Sequence, residues 1–277
     1  MKTLRARFGT NMRARLGARF ATVSRSRKVW SAVGALALAA APIVWAQGRN
    51  RQATYFAPNA TYDGRYTFVR IKYEMTASAS RGFRGQDIKW AHDYPRGERH
   101  FAKIVNELST IRAREAESNI LTLDDPELGK YPIANLCEPG FWLPSDAEVV
   151  GLRNYLTKGG MIIFDDFFND AWYNFETQIK RVFPNVTFLP LTPQDVVFDS
   201  FYRIPKLDLP YMGRGETAQY FGIFEDNDRT KRLMAIINYN NDLSEYWEFS
   251  DEGTMPIDMT NEAYKIGINY VIYALTR

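Results

Sequence analysis

Two apolar runs enclose one amphipathic segment between residues 131 and 166. The first run, residues 132–137, is largely apolar along its whole length, which is typical of a strand covered by helices on both faces. The second run, residues 161–164, has the same character and follows a Gly-Gly pair. This pattern predicts two neighbouring parallel strands joined by a right-handed helical crossover.

A capped helix is predicted between these two strands. Ser145 and Glu148 have the spacing of a capping box, in which each side chain bonds a backbone N–H of the first turn. Gly159 can take the left-handed conformation that ends the helix. The apolar positions that share one helical face are Val149, Leu152 and Leu156.

The same kinds of pattern predict strands and helices along the rest of the chain. Alternating or apolar β-rich segments predict strands, and apolar residues at offsets 0, 3, 4 and 7 predict helices. Strands alternating with helices predict an α/β fold, a three-layer doubly wound and mostly parallel sheet. The remaining predicted strands are 66–73, 119–123, an edge strand at 186–189, and a hairpin of 220–224 with 232–239; the helices are 101–110, 171–183 and 262–274, and residues 192–215 are predicted to be a surface excursion.

The N-terminus predicts export. Residues 1–28 carry nine basic residues and no acid, and residues 30–46 are almost wholly apolar and end in Val44-Trp45-Ala46. We interpret residues 1–46 as a cleaved signal peptide, or as an N-terminal signal anchor if it is retained. Residues 47–64 are then a tether and 65–277 the folded domain, located in the periplasm or anchored to the inner membrane outside the cytoplasm.

The charge and the cysteine content limit which class of protein the chain can belong to. The chain has 35 basic and 32 acidic residues, but without the nine leader charges the balance becomes 26 to 32, or −6. The basic character therefore belongs to the leader, and a nucleic-acid partner is not expected. Cys137 is the one cysteine, so packing alone must hold the domain together.

The carboxyl ends of the predicted strands carry the candidate chemistry. Asp165 and Asp166 end the strand at 161–164, and ligands of open parallel sheets bind at such ends. Helped by Asp93 and Glu138, they predict a site for a polar ligand or for a divalent metal with oxygen ligands, such as magnesium, calcium or manganese. The alternative is structural: one aspartate caps the helix that begins near Ala171, or pairs with an arginine.

The loop around Trp90 offers a second set of candidates. Trp90, His92, Asp93 and Tyr94 combine aromatic faces with polar tips, which recognise sugars and peptides. The alternative is that Trp90 and Tyr94 pin the loop to the domain. From topology, Asp242 and Trp247 are expected to approach the same crevice, because they also follow a strand end.

Cys137 can be a nucleophile only beside a base. His92 and His100 are the two histidines of the chain, and a Cys137–His92 pair requires the Trp90 loop to fold over the strand ends. Activation also requires a partly exposed thiol of lowered pKa. The alternative is a buried cysteine at the end of a central strand.

Several motifs together resemble the bacterial DUF4159 family: WAHDYP, LDDPEL, YPIANL, PSDAEVVGLRNYLTKGGMIIFDD and NEAYKIGINYVIYALT. The resemblance covers residues 65–277 and implies a class I glutamine amidotransferase-like, flavodoxin-like fold in an exported or membrane-associated protein. In active amidotransferases the strand after the Gly-Gly stop leads to a nucleophilic cysteine. Phe164-Asp165-Asp166-Phe167 stands there in this chain, and Cys137 lies one strand earlier.

A non-catalytic role is therefore expected: a ligand- or protein-binding module of the cell envelope, with an envelope or membrane protein as partner. Membrane contact is expected only through the N-terminal segment, if it remains uncleaved. The alternative is a hydrolase acting on glycan or peptide material with Asp165, Asp166 or Glu138 as general acid and base. A third reading is a purely structural partner anchored by its N-terminus.

Overall fold

The computed structural model describes residues 56–79, 87–210 and 217–277. The expected signal segment and residues 47–55 of the expected tether lie outside this part of the chain. Residues 57–277 form one compact unit. Its first residues are hydrogen-bonded to the domain, since Ala60 N donates to Asn119 Oδ1 at 2.7 Å. Within the described residues, no helix has both the length and the apolar character needed to span a bilayer.

The unit is an α/β domain. Seven strands and five α-helices are described, and the helices lie between or after the strands along the chain. The strands are β1 (Tyr66–Ile71), β2 (Ala113–Leu121), β3 (Ile133–Cys137), β4 (Met161–Phe167), β5 (Leu189–Pro190), β6 (Gln219–Phe224) and β7 (Leu233–Tyr239); the helices are α1 (Arg96–Leu108), α2 (Asp146–Thr157), α3 (Ala171–Val182), α4 (Leu243–Glu248) and α5 (Ile257–Thr276).

The strands form a single sheet in the order β2-β1-β3-β4-β7-β6-β5. The first five strands in this order are parallel, whereas β6 and β5 are antiparallel additions at one edge. Strands β3 and β4 are buried, as expected for a sheet covered on both faces. This is the predicted three-layer, mostly parallel architecture, and its central order corresponds to that of flavodoxin-like folds.

Local signals read from the sequence are confirmed. The capping box of α2 is complete: Glu148 N donates to Ser145 Oγ at 3.2 Å, and Ser145 N donates to Glu148 Oε2 at 2.9 Å. Gly159 has a φ of +112° just after this helix. Strands β6 and β7 pair antiparallel across the turn at 225–228, as the hairpin prediction requires.

Other predictions were wrong in their bounds. Strand β2 begins at Ala113, six residues before the predicted start, because its first segment, AREAES, is charged and shows no apolar pattern. This segment pairs with β1 at its two ends, Ala113 and Ser118, with a register shift between them. The edge strand is only Leu189–Pro190. The segment predicted as a surface excursion buries Phe198 and Ile204 in the core. Helix α4 was not predicted, because six residues are too few to show helical periodicity.

Candidate functional site

The carboxyl edge of the parallel strands brings three acidic segments together. Cys137 of β3 is in register with Asp165 of β4, so Glu138 and Asp166 follow side by side. Both residues have left-handed backbones, with φ of 47° and 59°. Such conformations are uncommon away from glycine and mark a point where the chain must turn its side chains in a particular direction. The loop after β7, with Asp242, lies at the same edge, since Asp166 N donates to Asn241 O at 3.1 Å.

The segment before α1 reaches this edge because Arg70 holds it there. The buried guanidinium of Arg70 pairs with Glu98 of α1, with Nη2 and Oε2 2.8 Å apart, and it also donates to Trp90 O at 3.0 Å. Trp90 is 6% exposed, so its ring packs inside and offers no face to solvent. Tyr94 is also tied down, because its hydroxyl accepts a hydrogen bond from Ala57 N at 2.9 Å. These contacts are those expected of residues that pin the loop.

His92 lies at the centre of the cluster. Its Nδ1 is 2.5 Å from Glu138 Oε1 and 3.8 Å from Asp166 Oδ2, and its Nε2 is 2.6 Å from Asp87 Oδ1. One ligand atom from each of His92, Glu138 and Asp166 lies within 4.8 Å of the others. Lys89 completes the group, with Nζ 2.7 Å from Asp87 Oδ2 and 3.2 Å from Glu138 Oε2.

The electrostatics of the cluster follow from burial and crowded carboxylates. Burial alone would lower the pKa of His92, but hydrogen bonds to Asp166 and Glu138 raise it to about 11. The imidazole is therefore cationic at neutral pH, and both of its nitrogens donate. Burial, followed by repulsion from Asp166, raises the pKa of Glu138 even though the His92 hydrogen bond opposes this.

Two further carboxyl groups lie close to Asp166. Burial raises the pKa of Asp93 well above its usual value, and the charge of Asp166 adds to this effect. The pKa of Asp242 is raised by burial and then by Asp166 and Asp93. Among the described residues, Oδ2 of Asp93 is a buried oxygen with no hydrogen-bond partner. The carboxyl groups of Asp93 and Asp242 thus hold their protons more tightly beside Asp166 than free carboxyl groups do.

Asp165 has a structural role that differs from that of Asp166. Its Oδ2 accepts hydrogen bonds from Leu243 N at 3.0 Å and from Ser244 N at 3.2 Å. Its Oδ1 accepts from Asn238 Nδ2 at 2.9 Å. Burial raises the pKa of this carboxyl to about 6, although the Asn238 hydrogen bond opposes the rise. Asp165 therefore secures the start of α4, whereas the sequence-based alternative placed a capping aspartate at the helix near Ala171.

Asp242 also serves α4, because its Oδ1 accepts from Glu245 N at 2.9 Å. Trp247 was expected to approach the crevice, but this was wrong. Its ring stacks on Phe101 with centroids 4.4 Å apart, inside the core formed by α1, α4 and α5. His100 lies on α1 with Nδ1 2.8 Å from Trp247 O, which is a contact between helices.

Cys137 is 4% exposed, and its thiol lies 3.6 Å from Asp166 Oδ2, to which it donates. Burial raises the pKa of this thiol well above its usual value, and the charges of Asp166 and Asp93 raise it further. The hydrogen bond of the thiol goes to a carboxylate and not to the imidazole of His92. This environment disfavours the thiolate that nucleophilic catalysis needs.

Asp87 and Lys89 contribute to the site but were not singled out from the sequence. Both lie on the loop that carries His92, in the series Asp87-Ile88-Lys89-Trp90-Ala91-His92. The density of charged and aromatic residues there was a usable signal. The direction of the Asp87 and Lys89 side chains was not predictable from the sequence. It depends on the hydrogen bond from Arg70, on strand β1, to the carbonyl oxygen of Trp90.

The donor set fits a divalent transition metal. An imidazole nitrogen and two carboxylates form a ligand set that suits manganese, iron or zinc. The ligand set expected from the sequence contained oxygen atoms only. Metal-bound histidines commonly donate their other ring N–H to a carboxylate, and Asp87 occupies that position on Nε2. A metal at Nδ1 would replace the proton now shared with Glu138.

Fold and site together define a flavodoxin-like α/β domain with a buried acidic cluster at the ends of its parallel strands. The chain belongs to the family described as Domain of unknown function (DUF4159), which matches residues 67–275. The resemblance drawn from the sequence motifs is thereby confirmed over almost the whole described domain. Among curated proteins, no relative matches the chain.

Proposed function

We propose that this domain is a non-catalytic ligand-binding module of an exported cell-envelope protein, and that it binds a divalent cation through His92, Glu138 and Asp166. The observation that carries the proposal is the convergence of three ligand atoms within 4.8 Å from three separate segments of the chain. One imidazole and two carboxylates form a set that transition-metal sites commonly use.

The charge balance supports a cation. Among the residues that the structure describes, the cationic groups in contact with the cluster are Lys89 and His92, while the guanidinium of Arg70 is paired with Glu98. Buried charges are costly unless they are paired. A divalent ion would pair with Asp166 and with the neighbouring carboxyl groups as these release their protons; the carboxyl groups with raised pKa values are Asp93, Glu138 and Asp242.

The non-catalytic part of the proposal rests on which residues occupy the position of the amidotransferase nucleophile. The position that holds the cysteine in amidotransferases is occupied by Asp165 and Asp166, and Cys137 is buried with a raised thiol pKa. Export rests on the basic and apolar N-terminal residues 1–46, and the expected partner is another envelope or membrane protein. A degenerate site on an intact scaffold is suited to binding.

Thermal unfolding of the full chain in the presence of Mn²⁺, Zn²⁺ or Mg²⁺ tests the metal site. A ligand at about 100-fold excess over its Kd stabilises the native state by about 2.7 kcal/mol. We expect stabilisation by Mn²⁺ or Zn²⁺ that is lost in Glu138→Gln and Asp166→Asn. Asp124→Asn is the matched control, because Asp124 is an exposed aspartate outside the cluster. Absence of stabilisation in the native protein, or equal stabilisation in all variants, would overturn the proposal.

A carboxylate-dependent hydrolase is the second candidate, favoured by the raised pKa of Glu138 beside Asp166. General acids in glycosidases have carboxyl groups with raised pKa values. Release of reducing ends or amines from peptidoglycan fragments, abolished by Glu138→Gln, would support this function. Metal-dependent stabilisation without any turnover would instead support the binding module.

A further inference from the structure

A concave surface outside the His92 cluster lies beside the start of α3. This aromatic groove has a volume of about 650 Å³ and follows the carboxyl end of β4. Ligand-binding pockets typically span about 300–1,000 Å³. Its lining residues are Asn169, Asp170, Trp172, Tyr173, Phe221 and Tyr239.

The floor of the aromatic groove is held rigidly. Trp172 stacks almost parallel on the buried ring of Phe167, at an interplanar angle of 9° and a centroid distance of 6.2 Å. Tyr239 and Phe221 contact the same indole at 4.9 Å and 5.3 Å. The indole N–H donates to Glu176 Oε2 at 3.0 Å, which fixes the ring orientation. The rings are therefore positioned in advance, and little side-chain entropy remains to be lost on binding.

The rim of the groove is polar. Tyr239 donates its hydroxyl to Asn169 O at 3.1 Å, which places the phenol at the mouth. Asp170 occupies the N-cap position of α3, but its side chain makes no capping hydrogen bond. Tyr173 projects outward and is 69% exposed. Burial, then the nearby Tyr173 and Asp170, raise the pKa of Tyr239, consistent with these polar groups lying together.

We propose that the aromatic groove binds a neutral glycan, with sugar rings packed on Trp172, Tyr173 and Tyr239 and hydroxyl groups bonded to Asp170. The C–H face of a pyranose packs on aromatic rings, while its hydroxyl groups need acceptors at the edge of those rings. Among the described lining residues there is an aspartate but no lysine or arginine, so an anionic ligand is disfavoured. The groove shares no residue with the His92 cluster, so the two proposals stand or fall separately.

Chitotetraose and cellotetraose, titrated into the full chain in EDTA, test this proposal by tryptophan fluorescence and saturation-transfer NMR. We expect at least one to bind, and affinity to fall about tenfold or more in Tyr173→Ala and Asp170→Ala, a loss of about 1.4 kcal/mol per factor of ten. Both residues are exposed, so these variants avoid the packing disruption that Trp172→Ala would cause. Tyr62→Ala is the control, because Tyr62 is an exposed tyrosine that packs on Tyr131 outside the groove.

A decaproline peptide provides the competing probe, since proline-rich segments also dock in aromatic grooves. Binding of decaproline without either sugar would overturn the proposal in favour of a peptide site. No binding of either sugar would also overturn it, as would sugar binding that Tyr173→Ala and Asp170→Ala leave unchanged. Repeating the titration with Mn²⁺ keeps this result distinct from that of the metal site.

Discussion

Asp165 and Asp166 are adjacent in the chain, yet their carboxylates lie in different environments. Asp165 accepts hydrogen bonds from Leu243 N and Ser244 N at the start of α4. Asp166 lies on the other side, 3.8 Å from His92 Nδ1 and 3.6 Å from the thiol of Cys137. Successive side chains along a strand point to opposite sides, and the left-handed backbone of Asp166 adds a local turn. One aspartate thus supports the scaffold while the other belongs to the candidate metal site.

Replacing Asp87 tests how the histidine is held. Asp87→Ala leaves the three proposed ligands in place but removes the carboxylate on His92 Nε2. Loss of such an outer partner typically weakens metal affinity by about 10- to 100-fold. We expect that decrease for Mn²⁺, measured by isothermal titration calorimetry. Asp63→Ala is the control, because Asp63 is an exposed, arginine-paired aspartate elsewhere; an Asp87 variant that binds like the control would contradict the arrangement.

The buried ion pair of Arg70 and Glu98 predicts a large stability loss. In Glu98→Gln, the guanidinium of Arg70 remains buried without a counter-charge, and breaking such a pair costs about 3–5 kcal/mol. Urea unfolding should show this decrease in the free energy of unfolding. The exposed pair Lys103–Glu107 provides the control, and Glu107→Gln should cost no more than about 1 kcal/mol. Equal effects of the two substitutions would contradict the prediction.

The raised pKa of Asp242 predicts a pH dependence of stability. Burial, then the charges of Asp166 and Asp93, make the native protein hold this proton more tightly than the unfolded chain. The contribution to stability is full below the unfolded pKa of about 4 and falls as the pH rises toward the raised native pKa. Asp242→Asn keeps an oxygen for Glu245 N and removes the charge.

The Asp242→Asn variant should therefore be more stable than the native sequence at pH 8 and differ little from it near pH 4. Urea unfolding in EDTA across this range measures both curves. Parallel curves would show that Asp242 does not carry the pH dependence.

The buried thiol predicts protection from alkylation. Because Cys137 is 4% exposed and its thiol pKa is raised, iodoacetamide at pH 8 should react slowly with the native protein. Unfolding in guanidinium should restore the rate of an ordinary thiol. Mass spectrometry measures both rates, and rapid native alkylation would instead indicate an accessible, activated cysteine.

Local chemistry let the sequence determine much of the fold. The capping box of Ser145 and Glu148 and the left-handed Gly159 fixed α2, since their bonds join residues a few positions apart. The apolar runs of β3 and β4 required helices on both faces, which led directly to a three-layer sheet. The turn between β6 and β7 was readable for the same reason. The acidic residues at the strand ends were also visible.

Which of those acidic residues contact one another depends on long-range packing. His92 joins Glu138 and Asp166 because Arg70, on β1, holds the Trp90 carbonyl and so brings the loop over the strand ends. The assignment of Asp165 to α4 depends on a helix 78 residues later, and Trp247 entered the core because α1 lies against α4. Such contacts depend on long-range closure and burial, which no local pattern encodes. Local patterns were therefore enough to predict the layers and the candidate edge, whereas long-range packing selected the site.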